Sequence, residues 1–253
     1  DAEMKVLSKT FGIHPLTAED IMMQEAREKV ELFRNYYFVN YRSFEQDMNN
    51  EDFLEPVNMY VVVFREGVIS FHFSLTPHPA NVRRRIRQLS DYLILSSDWI
   101  SYAIIDDITD VIGEMEPLDG AVEFLDHLRS KWQVIILSDT FSQFAGPLMD
   151  KLGRPALLCH TLEIDEESRR IEGWTIRIDD QKRRTVEALR GLNYNVIAAG
   201  DSYNDTSMLS MANAGILLNP PSNVIDEFPQ FPVTTDYTGL LAAIEAAASD
   251  MGE

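Results

Sequence analysis

The sequence predicts two unlike folds in one chain: an α+β arrangement over residues 1–111, an antiparallel meander with helices, and an α/β, doubly wound parallel sheet over 112–253. Three observations carry this reading. Val57 to Phe64 and Val68 to Phe73 flank Arg65-Glu66-Gly67, the pattern of an antiparallel hairpin. After Ile112 short apolar runs alternate with amphipathic ones, the pattern that builds parallel sheets covered by helices. Finally, Val196 to Ala199 ends in Gly200-Asp201-Ser202-Tyr203-Asn204-Asp205, a strand giving way to a tight acidic turn. In open α/β sheets ligands bind at such carboxyl ends.

Composition narrows the function classes. Hydrophobic content of 45% with 25% charged residues is that of a soluble globular protein. The net charge of −19 opposes nucleic-acid binding, which requires phosphate neutralisation by Lys and Arg. No apolar run approaches the roughly 20 residues that span a bilayer, so no membrane insertion is expected. The acidic start Asp1-Ala2-Glu3 lacks the features of a signal peptide, and the single Cys159 excludes an intrachain disulfide, so a cytoplasmic setting is expected. Cys159, within Leu157-Leu158-Cys159, reads as part of a buried strand. The oligomeric state is not legible.

In the first part, Thr17-Ala18-Glu19-Asp20 opens a helix, with Thr17 as cap and Asp20 near its positive end, after the extended or turn dipeptide His14-Pro15. Tyr36 to Phe44 alternates as a strand does. Pro77-His78-Pro79 breaks the pattern, and Asn81 is a suitable N-cap for Arg83-Arg84-Arg85-Ile86-Arg87, the solvated face of a short helix. His72 and His78 lack partners at metal-ligand spacing, which favours packing or solvent roles. Trp99, Ile100, Ala103, Ile104, Ile108 and Val111 share one face at helical period, with Ser97 as N-cap.

The second part alternates regularly. Helices are expected at Ala121 to Ser130, at Ser142 to Leu152 with Gly153 ending it, at Gln181 to Leu192 capped by Asp180, and near Leu240 to Ala248. Strands are expected at Gln133 to Leu137, Leu157 to Ile164, Ile171 to Ile178, Val196 to Ala199 and Ala214 to Leu218. On successive strand-to-helix junctions stand a hydroxyl, Ser138, whose neighbouring amides suit phosphate oxygens at a helix start; a lysine, Lys182, suited to developing negative charge; and the pair Asp201 and Asp205, suited to Mg²⁺. Each alone has a bland reading as a turn or a solvated side chain.

Phe11-Gly12-Ile13-His14-Pro15-Leu16-Thr17-Ala18-Glu19-Asp20, Arg27-Glu28-Lys29-Val30-Glu31, Pro77-His78-Pro79 and Ser97-Asp98-Trp99-Ile100-Ser101-Tyr102 resemble the cytosolic domain of fungal CorA-type magnesium transporters, over about residues 1–111. The Gly-Met-Asn pore motif, the stalk and the membrane helices of that family are absent. Ile136-Leu137-Ser138-Asp139-Thr140-Phe141 and Ala199 to Asp205 resemble the haloacid dehalogenase superfamily, in particular its phosphoserine phosphatases and phosphotransferases. That resemblance implies a Mg²⁺ cofactor and a phosphorylated small molecule such as phosphoserine. It makes Ser138 and Asn204 phosphate-binding, Lys182 the catalytic lysine, and Asp201 and Asp205 metal residues.

The superfamily's chemistry also needs an aspartate nucleophile at a strand end and a second acid two residues later, one to attack phosphorus and one to protonate the leaving group. The strand bearing it lies between the strands ending in Ser138 and Asp201, and a cap domain follows it. The transporter-like segment occupies that position. The sheet is therefore expected to lack its first-motif strand and cap, and the chain to be inactive. Tyr102 to Val111 offers Asp107 or Asp106 as a surrogate, but two residues after them stand Thr109 and Ile108, and the helical face favours a helix there. A non-catalytic Mg²⁺- or phosphate-binding module and a regulatory fragment of a magnesium channel are the other readings.

Overall fold

The computed structural model describes residues 2–25, 28–45, 56–90 and 95–252; Asp1 and Arg27 lie outside the described residues. The first elements are α1 (Ala2–Phe11), α2 (Pro15–Met22), β1 (Lys29–Leu32), β2 (Tyr36–Phe44), β3 (Pro56–Phe64), β4 (Val68–His72), α3 (His78–Leu89) and α4 (Ser97–Glu114). The strands form one sheet, β1-β2-β3-β4, with every neighbour antiparallel. The expected hairpin is present, with Val63 opposite Val68 across its turn. Phe38, Tyr60 and Val62 pack with Ile13 and Ile21 of the α1–α2 region, while Val39, Tyr41, Val61 and Val63 pack with Ala103, Ile104 and Ile108 of α4. This is the alternation expected of strands buried on both faces.

Local capping differs from expectation. His14, not Thr17, caps α2, its Nδ1 accepting from the Leu16 amide, and Thr17 is fully buried with its hydroxyl 2.9 Å from the Tyr36 hydroxyl. Asp20 sits past the first turn and takes the Lys29 ammonium at 2.7 Å. α3 starts at His78, three residues ahead of Asn81, because prolines on both sides of His78 preset its first turn. Ser96 rather than Ser97 caps α4, accepting from the Trp99 amide, while Ser97 donates to the Arg65 carbonyl. The expected helical face is rotated toward Ser101, Ile105 and Ile112, which are buried along with Ala103, Ile104 and Ile108.

The later elements are α5 (Ala121–Lys131), β5 (Ile135–Phe141), α6 (Ser142–Lys151), β6 (Ala156–Ile164), β7 (Ile171–Thr175), α7 (Gln181–Gly191), β8 (Ile197–Gly200), a 3-10 turn (Tyr203–Asp205), α8 (Thr206–Met211), β9 (Ala214–Leu218), α9 (Ser222–Glu227), β10 (Val233–Thr234) and α10 (Tyr237–Gly252). β8 and β10 pair with β9 in parallel. Leu217 faces a cluster with Val186, Ala198, Leu209 and Val224, and Ile216 faces one with Leu128, Leu240 and Ile244. Helices thus cover both faces of this sheet, as in a doubly wound fold.

The expected strand ending at Ser138 departs from that plan. β5 runs through Ser138 to Phe141 and is a neighbour of β6, in a sheet ordered β5-β6-β7, so it does not join the parallel sheet. β6 and β7 are antiparallel, closed by the Asp165–Arg170 turn. Strand amides and carbonyls need partners, and β5 finds its neighbour in β6. β8 is left as the edge of its own sheet. Gly153, with φ +72°, follows α6 in the left-handed region that glycine tolerates.

Packing divides the chain into two compact units. One contains Asp1–Met115, Asp139–Leu148 and His160–Thr175; the other contains Glu116–Ser138, Met149–Cys159 and Ile176–Glu253. Within the first, Phe141, Phe144, Leu162 and Ile171 share a core with β2, β3 and α4, and Phe144 lies edge-on to Tyr41 at 5.8 Å. Cys159 is buried on β6, and burial raises its thiol pKa. Among the described residues no helix is long and apolar enough to cross a membrane.

Candidate functional site

In the second unit, β8 delivers the chain into the acidic turn. Asp205 is buried, and its carboxylate folds back over the turn: Oδ2 accepts from the Asp201 amide at 3.2 Å, the Ser202 amide at 3.3 Å and the Ser202 hydroxyl at 3.1 Å. Ser202 and Asp205 form a reciprocal capping box, which fixes the start of the 3-10 turn. The fold-back requires a glycine at 200. A Cβ there would meet Asp205 Cβ at 2.5 Å and Cγ at 2.6 Å.

α7 supplies the opposing charge. Lys182, in its first turn, places Nζ 2.8 Å from Asp205 Oδ1. Burial pushes the Asp205 pKa up, but Lys182 and the Ser202 donors outweigh it and hold the carboxyl below its ordinary value. Asp201 is exposed; partial desolvation, then the Asp205 charge, raise its pKa. Asn204 is exposed on the same turn. Asp180 occupies the N-cap position of α7 but in a left-handed conformation, φ 50°, and makes no side-chain cap bond. Its carboxylate takes Arg183 instead.

The structure therefore brings Lys182, Asp201, Asn204 and Asp205 to one end of the parallel sheet. Ser138 is placed differently from expectation. It lies inside β5, four residues before α6 begins, so its neighbouring amides belong to a strand and not to a helix start. Its carbonyl accepts from Gln181 Nε2. Gln181, which is 2% exposed, was not singled out from sequence; a glutamine at a helix start carries no pattern that points to a distant carbonyl.

The surrogate acids lie in the first unit, both in the middle of α4 and neither at a strand end. Asp106 is 3.7 Å from Arg85. Asp107 Oδ2 is 2.7 Å from His78 Nδ1 and accepts from Asn81 Nδ2 at 3.1 Å. His78 Nε2 in turn is 2.6 Å from Ser43 Oγ, with His78 and Ser43 almost wholly buried. The packing role expected for His78 holds, while Asn81 is a partner of Asp107 and not a cap.

A resident Mg²⁺ would need several oxygen ligands at the turn. The residues present do not supply them. Both Asp205 oxygens are engaged by donors, leaving Asp201 as the turn's outward carboxylate. Among the described residues no group of three or more His, Cys, Asp or Glu forms a metal cluster.

Comparison with known proteins finds two families along the chain. A family model described as haloacid dehalogenase-like hydrolase matches residues 96–210, and one described as CorA-like Mg²⁺ transporter protein matches residues 1–118. A phosphoserine phosphatase of Pseudomonas aeruginosa is 57% identical over 143 residues, covering 56% of this chain and 69% of that protein. One from Pseudomonas syringae is 48% identical over 167 residues, covering 63% and 69%. A magnesium transporter of Saccharomyces cerevisiae is 64% identical over 124 residues, 49% of this chain. This chain spans only 14% of that transporter's length. A solved substrate-bound phosphoserine phosphatase overlaps 66% of this chain and 88% of its own at TM-score 0.47 and 17% identity. The chain belongs to the haloacid dehalogenase-like hydrolases, as a two-part chimera whose first part is CorA-like.

Proposed function

We propose that this chain is the remnant of a Mg²⁺-dependent phosphoserine phosphatase or phosphotransferase, fused near residues 111/112 to a CorA-like cytosolic segment, and catalytically silent. The observation that carries the proposal is the position of β8. The strand that leads into Asp201 is the edge of its sheet, and among the described residues no aspartate-terminated strand pairs with it. The chemistry needs a carboxylate there to attack phosphorus and an acid to release the alcohol. Lys182 and Asp205 answer each other instead. Asp106 and Asp107, held on α4, are occupied by Arg85 and by His78 and Asn81.

In this reading Ser138, Lys182, Asn204, Asp201 and Asp205 are inherited positions without a nucleophile to serve. The parent's substrate was a phosphorylated small molecule such as phosphoserine, and the setting is cytoplasmic. The test is covalent trapping. Acid-quenched protein incubated with labelled phosphoserine and Mg²⁺ should carry no hydroxylamine-labile phosphate; label lost in Asp107→Asn or Asp106→Asn would overturn the proposal.

The 64% identity to a magnesium transporter favours one second reading, a regulatory segment of a magnesium channel. That reading requires a symmetric oligomer, and a monodisperse monomer in light scattering contradicts it.

A further inference from the structure

We propose that Lys182 is a built-in cation for the acidic turn, and that the turn in this chain therefore has no divalent-cation affinity until Lys182 is removed. Catalytic silence does not imply this, since a protein without a nucleophile can still bind a metal. The inference rests on how the Asp205 side chain is held.

Four donors converge on the two Asp205 oxygens: Lys182 Nζ on Oδ1, and the Asp201 amide, Ser202 amide and Ser202 hydroxyl on Oδ2. The side chain is drawn in against the β8 backbone, its Cβ 2.5 Å and its Cγ and Oδ2 2.6 Å from where a Cβ on residue 200 would stand, and an outward swing would give up the three turn donors. A carboxylate held in this way has Oδ2 filled by three donors and offers a divalent ion only the part of Oδ1 that lies beside the Lys182 ammonium. The ion would have to displace an ammonium that α7 holds in place, and a tethered group competes without the entropy cost borne by a diffusing one. Charge works in the same direction. Lys182 cancels one of the two negative charges at the turn, leaving only Asp201 to attract a cation. One exposed carboxylate in high dielectric holds a divalent ion no better than the rest of the acidic surface does.

Removing the lysine inverts each of these terms. Asp205 Oδ1 loses its partner and faces the space the ammonium filled, and two carboxylates then share one small region. A hard cation with a preference for oxygen is the chemical class that fits there.

The experiment uses Mn²⁺ on the full chain, read by the electron paramagnetic resonance signal of the free aquo ion. Wild type and Asp201→Ala should deplete that signal equally, because the acidic surface binds Mn²⁺ in both. Lys182→Met should bind Mn²⁺ at least about tenfold more tightly than wild type, and Lys182→Met/Asp205→Asn should lose the gain. If Lys182→Met alone does not fold by circular dichroism, Mn²⁺ should restore its helical signal and should not alter that of the double variant. The proposal is overturned if wild type shows depletion that Asp201→Ala abolishes, if folded Lys182→Met shows no gain, or if Mn²⁺ fails to restore an unfolded Lys182→Met.

Discussion

Lys182 Nζ lies 2.8 Å from Asp205 Oδ1, and the two side chains are only 14% and 9% exposed. The pair joins the start of α7 to the turn after β8 through charge rather than through apolar contact. A buried pair of this kind costs more to break than it contributes when made, because the survivor is an unpaired charge in a poorly solvated place. Lys182→Met is therefore expected to lose about 3–5 kcal/mol of unfolding free energy in urea. Lys182→Met/Asp205→Asn should recover most of that loss. Equal losses in the single and double variants would show that packing, not charge, holds the turn.

Gly200 sets the second expectation. Since a Cβ at residue 200 would stand 2.5 Å from Asp205 Cβ, Gly200→Ala forces the carboxylate off its three turn donors. Overpacking of this kind costs about 1–3 kcal/mol. Thermal melts should show the loss, and it should shrink in an Asp205→Gly background where the clashing atoms are gone. A loss unchanged in that background would place the strain elsewhere.

In the first unit, Ser43, His78 and Asp107 tie β2, α3 and α4 together through polar bonds in a largely apolar core. Asp107→Ala removes the acceptor from His78 Nδ1 and from Asn81, and should cost about 1–3 kcal/mol in chemical denaturation. Asp107→Asn retains an acceptor oxygen and should cost less. The reverse ranking would mean that the aspartate is not an acceptor for His78.

Glu28 gives a pH dependence. Burial raises its pKa above the ordinary 4.5, against the lowering effects of Thr140 and Arg42. A carboxyl whose folded pKa is raised favours the protonated fold, so its contribution is intact below 4.5 and is lost as pH rises through the raised value. Glu28→Gln keeps an oxygen for the Arg42 amide and removes the penalty. The variant should be more stable than wild type at neutral pH and equal to it below the unfolded value, as read by melts across that range. A variant less stable at neutral pH would contradict the burial account.

Much of this was legible in the sequence, for reasons that differ by element. The β3–β4 hairpin, the α4 helix and the β8 turn declare themselves through patterns of neighbouring residues, and each formed where the pattern placed it. What stayed hidden depends on contacts between residues far apart in the chain. Nothing near Lys182 reveals that its ammonium meets Asp205 and leaves the turn without a cation's place. Nothing near His78 reveals Ser43 and Asp107. The fate of β5 is of the same kind. Its apolar residues specify a strand, but its neighbour depends on which other strands exist, and the sheet partner it found was β6.

Turnover is the most direct measurement of the central claim. Phosphoserine and an aryl phosphate, each with Mg²⁺ and the purified 253-residue chain, should release phosphate at the rate of the protein-free control. Release above that control, lost in Lys182→Met and in Asp107→Asn or Asp106→Asn, would show a working nucleophile and contradict the account.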